Sequence, residues 1–124
     1  MNLINLNAFE ILKLFNSNKL SAVEYVSELI SHIKLREPNV EAWAFLNEDL
    51  VKSYAKKIDE KRSNNSQKPF AGIPIGIKDI IDTRDFPTEN GSKTCLGRKP
   101  KEDAHLVKLL RENDIIIFGK CVTT

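Results

Sequence analysis

Two short β-branched runs near the C-terminal end limit the folds open to this chain. Phe70 to Ile81 reads FAGIPIGIKDII, and Ile115 to Phe118 reads IIIF. The second is a continuous apolar run, the pattern of a strand covered on both faces. Between the two lies one helical stretch, with Ala104, Val107 and Leu110 at helical spacing and turned inward. Strand, helix, strand in that order implies an α/β protein with some parallel pairing.

Upstream the pattern is mainly helical, over residues 1–62, with the α/β core beginning in 70–124. Asn7 and Glu10 have the form of a capping box. Ala8, Ile11, Leu12 and Phe15 then fall on one helical face. Ser21 and Glu24 form a second box ahead of Val23, Val26, Ile30 and Ile33, and Pro38 is expected to stop that helix. Ala42 to Leu46 is strand-like but too short to separate from an extended connection. Asn47 caps a third helix with Leu50, Val51, Tyr54, Ala55 and Ile58 as its apolar stripe. Lys61 to Pro69 is polar and aperiodic, hence a loop. Thr83 to Pro100 is a long connection, which in a compact domain is usually functional. Asp103 is expected to cap the last helix, and Asn113 to take the left-handed position after it.

Bulk properties exclude several classes. The 124 residues carry 19 basic and 17 acidic side chains, so a net charge of +2 points to neither nucleic acid nor an anionic membrane surface. No run reaches the length of a membrane span, and the first ten residues lack the basic start and apolar stretch of a secretion signal. Cys95 and Cys121 form no C-x-x-C pair and suit a reducing cytoplasm. His32 and His105 are not grouped with other ligand-type residues, so neither a metal site nor a cofactor is expected. Gly119-Lys120 lacks the P-loop's earlier glycine, Asp114 standing there, and Cys121 replaces its Ser or Thr. Cys121 has no base near it in sequence and reads as a structural thiol. The cluster Lys56, Lys57, Lys61 and Arg62 alternates with Asp59 and Glu60 and reads as a solvated helix end.

Lys78 is the candidate catalytic residue. At period two, Ile73, Ile75 and Ile77 share one face, while Pro74, Gly76 and Lys78 share the other. Small neighbours leave room beside the ammonium. An apolar setting would disfavour its charge and make it a usable base near neutral pH. The alternative is that Lys78 ends an edge strand and reaches out to water. Asp79 points the other way along the pleat and is a poor partner for Lys78.

The stretch AGIPIGIKDIIDT resembles the leading motif of the amidase-signature family. The likeness continues through PTENGS (Pro87 to Ser92), Pro100, Asp103-Ala104, Val107, Leu110-Arg111, IIIFGK and Val122-Thr123-Thr124. It reaches upstream to Leu20–Glu24 and Asp59. Pro87 to Ser92 is closer to the general amidases than to the family's tRNA-dependent amidotransferase subunit. The resemblance implies an incomplete portion of that family's mixed-sheet fold and hydrolysis of carboxamide bonds by a Ser–cis-Ser–Lys triad, with Lys78 as its lysine. The family's Gly/Ser-rich segment, which holds both serines and the oxyanion donors, lies downstream of the GK-x-T-T stretch, where this sequence ends. None of the eight serines present stands in a Gly-rich run. The chain is therefore expected to be a truncated piece, inactive alone. It would act on a small amide only if the missing part is supplied. Its expected partners are a complementing chain or a second copy meeting its exposed core. The rival reading is a non-catalytic α/β interaction module or one half of a split enzyme. Cys121 replaces the family's usual threonine, and Asn113-Asp114 its usual Ala-Gly.

Overall fold

A computed structural model describes residues 2–123. Over these residues four helices and three strands are accompanied by two single 3-10 turns. Helices α1 (Ala8–Asn16) and α2 (Ala22–Val40) lead into strand β1 (Trp43–Leu46). Helix α3 (Glu48–Ser63) precedes β2 (Pro74–Lys78), and α4 (His105–Glu112) connects β2 to β3 (Ile116–Cys121). The sheet order is β1-β3-β2, with β1 antiparallel and β2 parallel to the central β3. The expected strand–helix–strand unit is present, and Ala42 to Leu46 resolves as a strand.

Local chemistry explains most boundaries. Asn7 and Ser21 each close a full capping box, at Glu10 and Glu24, and the Asn47 side chain accepts the Leu50 N–H to start α3. The N-terminus of α2 has a second, distant cap. The Asp59 carboxylate on α3 accepts Ala22 N–H at 2.7 Å and Val23 N–H at 3.1 Å. Two free helix-terminal donors are satisfied there by a charge that also complements the helix dipole. Ile11, Phe15, Val26, Val51 and Ala55 are buried where α1, α2 and α3 meet, and β3 contributes Ile116, Ile117 and Phe118.

Four expectations are corrected. Pro38 does not stop α2, which runs through it to Val40; Glu41 takes the left-handed conformation, with φ 51°. A proline so near the C-terminus forfeits one helical hydrogen bond without breaking the turns before it. Asp103 does not cap α4, whose N-cap Ala104 makes no side-chain bond. The Asp103 carboxylate instead accepts Arg84 N–H and Arg111 Nε. The left-handed residue after α4 is Asp114 (φ 59°), not Asn113 (φ −94°). Asp114 gains there an ion pair with Lys61 at 2.5 Å and the Lys68 N–H at 3.1 Å. The isoleucine face of β2 is also not evenly covered: Ile75 is exposed while Ile77 is buried. The partner strand carries an extra residue, Phe118, opposite the Ile75–Gly76 step.

The Asp59 contacts generate a test. Asp59→Ala should lower stability by about 1–2 kcal/mol, read from the urea unfolding midpoint, whereas Glu60→Ala, on an exposed neighbour, should leave the midpoint unchanged.

Candidate active site

Lys78 is the last residue of β2, and its partner across the parallel ladder is Cys121. It shares a face with Gly76, two residues earlier. A Cβ on Gly76 would lie 2.6 Å from the Cys121 sulfur and 3.0 Å from the Trp43 ring, so only glycine lets these strands and the indole pack as they do. The Lys78 side chain itself is exposed. The expected shielding from water is not found, because β2 is an edge strand and the Lys78 side chain is left outside the packing around Asp79.

The next residue is held hard. Asp79 is buried. Its backbone N–H donates to Cys121 O, and its carbonyl accepts Asn90 N–H, both at 2.9 Å. Its carboxylate takes the Glu89 N–H at 3.3 and 3.4 Å, and the Lys120 ammonium lies 3.2 Å away. Lys120 is fully buried and also donates to Thr88 Oγ1 at 2.6 Å and to Pro87 O at 3.3 Å. Burial pulls the Lys120 ammonium below its ordinary range, with Asp79 the chief opposing influence. The Lys120–Asp79 pair was not legible as a pair in the sequence. The available signal was a lysine closing a continuous apolar run, because a charge on a covered strand needs a partner.

Around this pair the connection from Asp82 to Arg98 is compact. Arg98 grips Asp82 through both guanidinium nitrogens, at 2.7 and 3.0 Å, and holds that carboxyl below the usual range. Thr88 N–H donates to Arg98 O, and Gly97 N–H to the Glu89 carboxylate. Gly91 (φ 64°) comes so close to the post-β3 segment that a Cβ there would lie 1.9 Å from Thr123 Oγ1. These turns form one wall of a cavity of about 420 Å³ that Asp79, Glu89, Ser92, Lys93 and Leu96 help to line. Ser92 Oγ is engaged with Thr94 Oγ1 at 2.8 Å and has no lysine or histidine partner among the described residues to activate it. Thr124, the end of the last matching motif, lies outside the described residues.

A second network ties the connection to the helices. Arg111 on α4 reaches Asp85 at 2.8 Å and Asp103 at 2.9 Å, and Tyr54 OH on α3 donates to Asp85 at 2.5 Å. Burial first, and then the Asp85 bond, push the Tyr54 hydroxyl up to about 12.

The fold is that of part of an amidase-type α/β domain. The family model described as Amidase matches residues 24–124, and the chain belongs to that family. It is 35% identical over 121 residues to a glutamyl-tRNA(Gln) amidotransferase subunit from Streptomyces avermitilis, a match covering 97% of this chain and 24% of that protein. Among solved structures it matches the peptide amidase from Stenotrophomonas maltophilia with TM-score 0.88 and 25% identity, over 94% of this chain and 24% of that one. An amidase family protein from Bacillus anthracis matches with TM-score 0.87 and 28% identity, over 96% and 24% respectively. The chain thus spans about a quarter of the length of the relatives it matches.

The tyrosine network carries a pH dependence. A folded-state proton affinity above that of the unfolded chain gives stability that is complete below pH 10 and lost as pH rises through about 12. The stability difference between the unaltered chain and Tyr54→Phe, measured by urea titration, should therefore shrink across that interval.

Proposed function

We propose that this chain supplies the lysine arm of an amidase site that hydrolyses carbon–nitrogen bonds of carboxamides, with the serine pair contributed by residues outside these 124. The observation that carries this reading is the placement of Lys78. It stands at the C-terminal end of a strand, the residue after it is fixed through both backbone and carboxylate, and its own side chain is exposed. In the Ser–cis-Ser–Lys scheme the lysine, as the neutral amine, takes a proton from one serine through the other. The serine oxygen then bonds to the amide carbon, the C–N bond breaks, and the proton passes to the departing amine. Water repeats the sequence on the acyl-serine and releases the carboxylate. A base of this kind has to be kept out of water, so the segment that brings the serines must also cover Lys78. Ile80 and Val122 stay exposed at this end of the sheet and give such a segment apolar surface to meet.

The serines come either from continuation of this polypeptide or from a separate chain. Two free thiols, Cys95 and Cys121, fit a reducing compartment such as the cytoplasm. No helix among the described residues is long and apolar enough to cross a membrane. A non-catalytic docking module remains the rival.

The two readings part in one experiment. The 124-residue chain alone should release no ammonia from simple carboxamides. Co-expression with a polypeptide that carries an amidase Gly/Ser-rich segment, fused or separate, should give turnover. In that assembly Lys78→Ala should lower kcat by about a thousandfold with little change in KM. Lys78-dependent turnover by the isolated chain, or full activity of the Lys78→Ala assembly, would defeat the proposal.

A further inference from the structure

Lys120 has no exposed surface, yet its ammonium ends among three acceptors: Asp79 Oδ1, Thr88 Oγ1 and Pro87 O. Three donors meeting three acceptors is a saturated arrangement. It is also not the cheapest way to fill the space. An apolar trio of similar volume generally matches or exceeds the stability of a buried ion pair. What the polar set adds is a fixed relation between two segments. One acceptor is the residue next to Lys78, and the other two belong to the connection that walls the 420 Å³ cavity. Asp79 completes the tie, because it accepts the backbone N–H groups of Glu89 and Asn90 through its carboxylate and carbonyl.

We infer that Lys120 is a positioning residue for Lys78. Through Asp79 and Thr88 it sets the strand end that carries Lys78 against the Pro87–Leu96 wall of the cavity. Without Lys120, the Asp79 carboxylate is a buried, uncompensated charge beside that cavity. It would turn toward water there and carry the adjoining Lys78 backbone with it. The inference rests on the reading of Lys78 as the base.

The test removes both charges at once, with Asp79→Asn/Lys120→Met, so that no stranded charge unfolds the chain. The double variant should melt cooperatively and keep slow amide exchange at Ile117 and Phe118. It should lose exchange protection at Glu89 and Asn90. In the complemented enzyme kcat should fall about a hundredfold, with KM unchanged within about twofold. Thr88→Val, nearly isosteric, serves if the double variant does not fold; it should cost about tenfold in kcat with the same local exchange signature. A folded variant with unaltered kcat overturns the inference, as does an exchange change spread evenly over β3 and the loop. Absence of turnover in the unaltered complemented enzyme would count against the proposed function alone. The exchange pattern of the 124-residue chain would then still decide whether Lys120 couples the strand end to the cavity wall.

Discussion

One ammonium group without solvent contact organises the C-terminal half of this chain. Lys120 reaches from the central strand to Asp79 at the end of β2 and to Thr88 in the long connection. A buried charge is tolerated only where its hydrogen-bonding capacity is met, and here the connection has to fold around the strand end to meet it. The eighteen residues from Thr83 to Pro100 would otherwise have little to hold them. Instead they close on themselves through Thr88–Arg98 and Glu89–Gly97, and close on the end of β2 through Asp82 and Asp79. Cavity wall and strand end thereby become parts of one body.

Carboxylates do similar work elsewhere. Asp59 joins α3 to the start of α2 across 37 residues, and Asp114 joins the turn before β3 to Lys61 across 53. Asp85 and Asp103 bind Arg111 and so draw α3, the connection and α4 together. Each of these acids sits where backbone N–H groups or a cation would be left without a partner. The apolar core sets which faces meet; these charged contacts set the register between segments that are far apart in sequence.

The helices were legible because their signals are local. Capping boxes at Asn7 and Ser21, and the 3.6-residue apolar stripes behind them, need no knowledge of distant residues. The strand–helix–strand unit was legible for the same reason. Misreadings arose where a side chain had a better partner far away. Asp103 is a plausible helix cap by position, yet Arg111 and the Arg84 N–H claim it. Asn113 is the better left-handed residue by propensity, yet Asp114 takes that conformation and gains Lys61 and Lys68. Along β2 the covering of the isoleucine face breaks at Ile75, and the partner strand carries an extra residue at Phe118, neither of which a reading of β2 alone reveals. At the candidate site the sequence marked Lys78 and its strand. It did not mark Lys120, whose role depends on Thr88 and Asp79 arriving from other parts of the chain.

The two lysines divide what a catalytic lysine needs. Lys120 has the dry surroundings but is saturated with acceptors, so its proton has no substrate to reach. Lys78 has the open position but stands in water. A lysine that serves as a general base has to be held out of water. On the proposed reading, the step that turns Lys78 into a base is therefore its covering. The same segment that delivers the serines would strip the lysine of water, so assembly of the site and activation of its base become one event.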